Sequence, residues 1–451
     1  MFVNRGIAMA LLTKAVRGTG DVLPADSYKN RFIESTMLEI AGNFGFKEIR
    51  TPVFEHTELF NRSVGETTDV VQKEMYTFDD NGGRSITLKP EGTAGAVRAF
   101  LEHGLYNEPM PQKYSYVTPC YRYEKPQAGR LREFHQFGIE CFGADAPSAD
   151  AEVIATAKNI FDFFGIDDLR LEINSIGCPG CRKNYQNALK AYFNEKKGEL
   201  CETCNGRLDR NPMRILDCKS PVCSAIAADA PKILDYICED CAAHFEKVQK
   251  YLDAMGIEYT VNPSIVRGLD YYTRTVFEFV SGSIGAQSTV CGGGRYDGLV
   301  EELGGPKTSA CGFGLGLERF MMLLQARNIE LPAENPFDLY IASMNEEANI
   351  VAAALASDVR NAGVACLFDT VGRSLKAQMK YANKTGALFT VVLGTDEIEK
   401  GVAKVKCMAD GTETDIELDG FADNFIKISI NKAMESLTPD DCTTNVLGGL
   451  L

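Results

Sequence analysis

The sequence predicts an α+β domain built on a mostly antiparallel sheet, interrupted by a cysteine-rich insertion and followed by a smaller α/β domain. Three observations carry that expectation. Strand-like segments at 47–53, 85–89, 113–123, 134–142, 169–173 and 276–280 are joined mostly by turns, where a doubly wound sheet would need regular crossover helices. Eight of the fifteen cysteines fall between residues 177 and 255. After Leu331-Pro-Ala-Glu-Asn-Pro336, whose two prolines mark a linker, strands alternate with helices. The expected boundaries are 1–176 and 257–330 for the two parts of the first domain and 177–256 for the insertion. The last domain is expected over 336–432 and a polar, Gly-rich tail over 433–451.

Residues 27–44 read as an amphipathic helix, because Tyr28, Phe32, Ile33, Met37, Ile40 and Phe44 recur near helical spacing. Gly45 follows as its stop. In the last domain 337–342, 365–368 and 388–393 read as strands, with helices at 345–361 and 374–384 between them. Composition is that of an ordinary globular chain, 45% hydrophobic and 24% charged. Nothing approaches the run of about 18 apolar residues that spans a bilayer. The apolar patch at 7–12 falls short of the seven or so residues of a secretory signal core. Met9 is a second candidate start, and the cytoplasm is the expected compartment. A net charge of −15 speaks against a protein that coats nucleic acid, yet allows docking through local basic patches. An odd number of cysteines does not suit a disulfide framework.

Four strings carry chemistry. Phe46-Lys-Glu-Ile-Arg-Thr-Pro52 ends an amphipathic strand on proline. Pro119-Cys-Tyr-Arg-Tyr-Glu124, followed by Lys125-Pro-Gln-Ala-Gly-Arg-Leu-Arg-Glu-Phe134, reads as a hairpin projecting arginines, whose planar forks suit phosphate. Gly312-Phe-Gly-Leu-Gly-Leu-Glu-Arg-Phe320 strips side chains from one sheet face, so that a flat ligand can approach the backbone. Its G-x-G-x-G spacing and late position do not match a dinucleotide fingerprint. Arg267-Gly-Leu-Asp-Tyr-Tyr-Thr-Arg-Thr-Val-Phe-Glu278 combines charge and aromatics with the period of a strand.

The first three strings resemble motifs 1, 2 and 3 of class II aminoacyl-tRNA synthetases. The fourth, with Cys291-Gly-Gly-Gly-Arg-Tyr-Asp297, resembles the two signatures of histidyl-tRNA synthetases. The resemblance covers nearly the whole chain, from Val16 to about Ile430. It implies a class II synthetase-like catalytic domain, a homodimer formed through motif 1, and L-histidine, ATP with Mg2+ and tRNA as substrates. It also implies roles for single residues. Arg122 would clamp the α-phosphate with Glu124 nearby, Phe134 would stack on adenine, and Arg319 would cover the base and reach the γ-phosphate. The 126–130 loop, with Gln127 and Arg130, would touch the tRNA acceptor end; Lys125, where the family often has arginine, takes no catalytic role. Arg267 would sit at the α-phosphate where other class II enzymes use a metal ion.

For the amino acid, Pro90-Glu-Gly-Thr93 resembles the turn that binds the ammonium, with Glu91 and Thr93 as acceptors around Gly92. Gln136 would bind the backbone of histidine, Glu140 the imidazole, and Tyr272 the other ring nitrogen, with Tyr271 beside it. Arg274 and Glu278 read as supporting structure. Of the histidines, His56, His103 and His135 read as structural or solvated, His135 facing away from Gln136.

Cys178-x2-Cys181, Cys201-x2-Cys204 and Cys238-x2-Cys241 are metal-ligand spacings, and Cys218-x4-Cys223 is compatible. Four pairs would furnish two zinc sites of four thiolates, with His244 as a spare ligand; a redox role would need a thioredoxin-like βαβ context. In the last domain Arg373, Lys376, Lys380 and Lys384 form a basic stripe at helical spacing within a segment of net charge −4 (ten basic, fourteen acidic over 337–432). A basic face in an acidic domain suits a local nucleic-acid contact, and the run Gly-Arg-Ser-Leu-Lys-Ala-Gln-Met-Lys resembles the family's anticodon-binding domain. The runner-up reading is a non-catalytic relative, such as the synthetase-like regulatory subunit of ATP phosphoribosyltransferase. Such a protein would have no reason to keep Arg267, an intact third motif and a tRNA-binding domain together.

Overall fold

A computed structural model describes residues 12–436 apart from 66–67, 69, 217, 219, 266, 283–288 and 334–336. The second candidate start, Met9, and the tail beyond 436 lie outside the described residues. Two compact units emerge, Met1–Pro332 and Ala333–Leu451. Among the described residues no helix is long and apolar enough to cross a membrane.

The strands of the first unit are β1 (Lys47–Glu48), β2 (Phe54–His56), β3 (Tyr76–Asp79), β4 (Ser85–Leu88), β5 (Gln112–Tyr121), β6 (Glu133–Phe142), β7 (Arg170–Ser175), β8 (Thr260–Val261), β9 (Thr273–Val280), β10 (Thr289–Arg295) and β11 (Ala310–Gly316). Eight of them form one sheet in the order β1-β5-β6-β11-β10-β9-β7-β8; β2, β4 and β3 form a small second sheet. All pairings between β5 and β7 across the large sheet are antiparallel, and only the two-residue edge strands β1 and β8 run parallel to their neighbours. The mostly antiparallel sheet expected from turn-linked strands is therefore present.

Period-two alternation gives this sheet two different faces. Phe137, Ile139 and Cys141 of β6, with Cys311, Phe313 and Leu315 of β11, point into the main core. That core is completed by helices Pro24–Asn43, Pro147–Phe163, Glu239–Ala254 and Leu317–Ala326. Each buried large side chain there contributes about 1.5–3 kcal/mol. The opposite face, bearing Gln136, Gly138, Glu140, Gly312 and Gly314, is left for chemistry. Helix Pro24–Asn43 begins on a proline, whose missing N–H costs little in a first turn. It gives way to Gly45 at φ +83°, the stop expected.

One expectation changes. The 47–53 strand is paired only over β1, because Pro52 lacks an N–H and the chain leaves the sheet edge to enter β2. The glycines at 312–316 lie on a sheet strand, as their alternation suggested, and with those at 292–294 they form the centre of the sheet, β11 and β10.

The second unit contains β12 (Leu339–Ser343), β13 (Cys366–Phe368), β14 (Phe389–Leu393), β15 (Val402–Cys407) and β16 (Glu413–Glu417), in the order β13-β12-β14-β15-β16. The first three are parallel, with helix Glu346–Asn361 between β12 and β13 and helix Leu375–Lys384 between β13 and β14. The last two strands add an antiparallel edge. Asn345 caps the first of these helices by accepting from the Ala348 amide at 2.8 Å. The final helix runs from Phe421 to Ser436, so residues 433–436 are helical, where the sequence suggested a tail.

Candidate functional site

Three glycines sit side by side across the open face: Gly138 opposite Gly314, and Gly314 opposite Gly292. A Cβ on Gly138 would come within 2.4 Å of the Tyr116 ring. On Gly314 it would lie 2.1 Å from Gln136 Nε2, and on Gly292 2.4 Å from Arg267 Nη1. The glycines are there because polar side chains lie flat on the backbone. Sequence alternation pointed to this bare face but not to what covers it.

Three arginines close over that floor around a cavity of about 180 Å³. Arg122 donates through Nε to the Pro90 carbonyl at 2.8 Å and lies 5.4 Å from the centre of the Phe134 ring. Arg267 is paired with Glu278, and its buried Nε has no partner among the described residues. Arg319 donates to the carbonyls of Gly129 and Thr289, both at 3.0 Å. Burial, then the nearby Arg130, Arg122 and Arg267 charges, push the Arg319 pKa down, with Glu124 opposing them. An arginine stays charged at neutral pH regardless. A cavity whose cations repel one another and hold an orphaned donor suits a polyanion.

Deeper in the same unit, Glu140 is fully buried among hydroxyls. Its Oε1 accepts from Thr93 Oγ1 at 2.7 Å and from Tyr116 OH at 2.8 Å, and its Oε2 accepts from Tyr296 OH. Burial raises its carboxyl to about 8, although all three hydroxyls pull the other way. Glu91 takes the amides of Thr93 and Ala94, each at 2.8 Å, at the start of helix Thr93–Glu102; burial raises its pKa as well. Gln136 Oε1 accepts from the Gly92 amide at 2.9 Å. Tyr271 stacks obliquely on Tyr272 (4.7 Å) and edge-on to Tyr296 (5.5 Å). The result is a buried cluster of two carboxyls and several hydroxyls, joined through Gln136 to the wall of the cationic cavity.

The structure thus brings Arg122, Glu124, Arg130, Phe134, Gln136, Arg267 and Arg319 to one cavity wall. It gathers Glu91, Gly92, Thr93, Glu140, Tyr271 and Tyr272 next to it. Gln127 is exposed at the hairpin tip, where its backbone pairs with that of Arg130. Tyr116, Tyr296 and Glu318 escaped the reading of the sequence. Tyr296 stands inside the Cys291–Asp297 string, and Glu318 directly precedes Arg319; Tyr116 left no signal beyond strand alternation. Glu318 accepts from the His135 amide at 2.9 Å and from its Nδ1 at 3.0 Å. His135 therefore points away from Gln136 as expected, and this partner raises its pKa.

Eight cysteines form two quartets, Cys178/Cys181/Cys238/Cys241 and Cys201/Cys204/Cys218/Cys223, with the sulfurs of each within 4.8 Å of one another. Cys178, Cys201 and Cys238 each stand at the N-cap position of a helix. Backbone donation from Cys181 and from Cys204 lowers the thiols of Cys178 and Cys201 to about 7. His244 is not a spare ligand. It faces the core, where Nε2 meets Asp150 at 3.2 Å and Nδ1 meets Arg274 at 3.3 Å. Both ring nitrogens are thus taken by residues of other segments, Asp150 and Arg274, although His244 lies on the same helix as Cys241. Arg274 thus supports the core, at φ +49°, as Glu278 supports Arg267.

In the second unit Lys376, Lys380 and Lys384 are exposed along helix Leu375–Lys384. Arg373 lies before that helix and does not continue its stripe. It is paired with Asp369 at 2.8 Å and packed over Tyr381 at 4.3 Å.

Comparison with known proteins agrees with this geometry. Residues 18–320 match the family model described as histidyl-tRNA synthetase, and 338–428 match an anticodon binding domain. A histidine–tRNA ligase of Caldanaerobacter subterraneus subsp. tengcongensis is 57% identical over 409 residues, 91% of this chain and 98% of its own. The crystal structure of apo Staphylococcus aureus histidyl-tRNA synthetase superposes with a TM-score of 0.79 at 42% identity, over 92% of this chain and all of the other. A Bacillus halodurans structure titled ATP phosphoribosyltransferase regulatory subunit/histidyl-tRNA synthetase shares the fold at 22% identity and a TM-score of 0.61, over 86% of this chain and all of its own.

Proposed function

The chain belongs to the histidyl-tRNA synthetase family, and from that premise we propose that it is a histidine–tRNA ligase with the following division of labour. The observation that carries the reading is the convergence of Arg122, Arg267 and Arg319 on one cavity beside the buried Glu140. The carboxylate of histidine attacks the α-phosphorus of ATP, the bond to the β-phosphate oxygen breaks, and pyrophosphate leaves. An ionised nucleophile needs no general base, so positioning and charge neutralisation dominate. Arg122 and Arg267 neutralise the α-phosphate, Arg319 holds the triphosphate and covers the adenine, and Phe134 stacks on its other side with Glu124 nearby. ATP enters with Mg2+, which screens the phosphate charge. Glu91, Thr93 and Gln136 hold the ammonium and carboxylate ends of histidine around the Gly92 turn; Glu140, Tyr271 and Tyr272 recognise its ring. A terminal ribose hydroxyl of tRNA then attacks the adenylate carbonyl and AMP leaves, with Gln127 and Arg130 at the acceptor end.

The regulatory-subunit reading has no separate observation in its favour. Histidine-dependent exchange of pyrophosphate into ATP decides between them. Exchange with histidine and not with other amino acids is expected, and folded protein without exchange would favour the regulator.

The enzyme is read as a cytoplasmic homodimer. Val53 and Phe54 are exposed directly after the motif 1 string, as is Phe78 on the same small sheet, and a second copy would cover them. Lys376, Lys380 and Lys384 are assigned to the anticodon arm. Replacing all three by glutamate is expected to raise the KM for tRNA by roughly tenfold or more at low salt, leaving histidine-dependent exchange unchanged. Equal aminoacylation at limiting tRNA would remove them from the interface. Arg373 is assigned the shape of that surface through Asp369, with no direct contact.

The two cysteine quartets are read as structural zinc sites. A tetrahedral tetrathiolate with Zn–S of about 2.3 Å has sulfur edges of about 3.8 Å. The Cys178–Cys181 and Cys201–Cys218 sulfur separations are 3.5 and 3.9 Å. The Cys238 amide donates to Cys181 Sγ at 3.1 Å and the Cys201 amide to Cys223 Sγ at 3.3 Å, the partners a thiolate ligand needs.

A further inference from the structure

The first quartet joins the two ends of the insertion. Cys178 and Cys181 open it, immediately after β7, and Cys238 and Cys241 close it. The closing pair caps helix Glu239–Ala254, which is rooted in the main core through Phe245, Val248 and Leu252 and through the His244–Asp150 contact. The opening pair caps helix Pro179–Glu195, whose first turn carries Arg182. The Arg182 amide bonds the Cys178 carbonyl at 3.0 Å. Its guanidinium Nη1 reaches back to the carbonyls of Asp270 at 3.1 Å and Tyr272 at 2.9 Å. Those two carbonyls bracket Tyr271 and belong to the segment that begins with Arg267. Gly177 lies between β7 and the knuckle at φ +65°, and a Cβ there would meet Cys181 at 2.4 Å, so the chain is folded tightly against the quartet.

We propose, resting on the zinc reading above, that one zinc ion bound by Cys178, Cys181, Cys238 and Cys241 is a latch. It fixes the turn that carries Arg182 to the rooted helix, and Arg182 in turn fixes the Asp270–Tyr272 backbone in the shape that receives histidine. Arg182 is a positioning residue: it touches no substrate and acts through the two tyrosines. The second quartet belongs to the insertion's own small core, with Cys204 and Cys223 buried beside Leu200 and Leu208. The latch gives the insertion a part in amino acid binding, though it contributes no residue to the cavity wall.

The test uses the full-length protein, purified without an affinity tag, with zinc measured by elemental analysis beside exchange kinetics. Two zinc ions per chain are expected in the wild type and one in Cys178→Ser. In that variant the KM for histidine should rise about tenfold while kcat holds, because the fault is a misplaced wall and not a missing charge. Arg182→Met should keep both ions and show the same rise, Arg182→Lys should recover part of it, and the double variant should be no worse than either single. Additive losses, or an unmoved KM in Arg182→Met with two zinc ions in place, would overturn the latch and leave the zinc reading standing. Absence of zinc from the wild type would overturn both. Should Cys178→Ser fail to fold, the wild-type zinc count and the two Arg182 variants decide the matter.

Discussion

Arg267→Ala is expected to reduce histidine-dependent pyrophosphate exchange by about 10³-fold, since it removes a preorganised cation from the α-phosphate. Arg267 lies over Gly292 and is held by Glu278, and Thr289 Oγ1 donates to the other Glu278 oxygen at 2.8 Å. The guanidinium is thus fixed before ATP arrives, and its orphaned Nε is the donor available to a phosphate oxygen. Alanine also leaves the half-buried Glu278 carboxylate with Thr289 as its remaining partner, which lowers stability. Arg267→Ala/Glu278→Gln therefore separates chemistry from folding: stability should return while exchange stays lost. Histidine binding by calorimetry should survive in the double variant. Exchange within a few-fold of wild type would remove Arg267 from the reaction.

Glu140→Gln should move activity and stability in opposite directions. The carboxyl is raised to about 8 in the folded protein, chiefly by burial, against an ordinary value of 4.5. A raised acid favours the folded state fully only below the unfolded pKa. That advantage drains away between about pH 4.5 and 8, as the unfolded chain releases a proton that the folded chain retains. A neutral amide escapes the loss, so Tm at pH 8 should rise above wild type, with the difference shrinking toward pH 5. The amide can keep the network, accepting from Thr93 and Tyr116 while its NH₂ donates to Tyr296. Yet one of its two acceptor oxygens becomes a donor, so an acceptor for the imidazole N–H is lost, and the KM for histidine should rise by about 10²-fold. A Tm below wild type at pH 8 would mean that the buried carboxylate is stabilised by its hydroxyls more than burial disfavours it. An unchanged KM would place the imidazole elsewhere.

The long antiparallel strands and the bare glycine face were legible because alternation and glycine spacing are local. So were Arg122, Arg267 and Arg319, which stand in long, distinctive strings. Tyr116 was not, because its place over Gly138 depends on cross-strand register, and a tyrosine on a half-buried strand reads equally well as core. His244 was misread because the partners that hold its ring, Asp150 and Arg274, come from distant segments that its spacing to Cys241 does not reveal. The grouping of the cysteine pairs needed the fold, since Cys178 and Cys238 lie sixty residues apart (238 − 178). The cysteine spacings alone left that choice open.

The order of strands in the large sheet has a consequence for how the enzyme comes into being. β6 lies beside β11, and β7 beside β9, so the segments that flank the insertion are interleaved in space. During synthesis the β6 edge and its glycine floor wait, unpaired, until residues 310–316 have emerged. Such nonlocal pairing is slow and leaves an exposed edge open to wrong partners. The first quartet, Cys178 and Cys181 with Cys238 and Cys241, draws the two ends of the insertion together, so an insertion that folds in that interval shortens the loop the late strands must close. The cysteines would then act first as a timing device of the nascent chain.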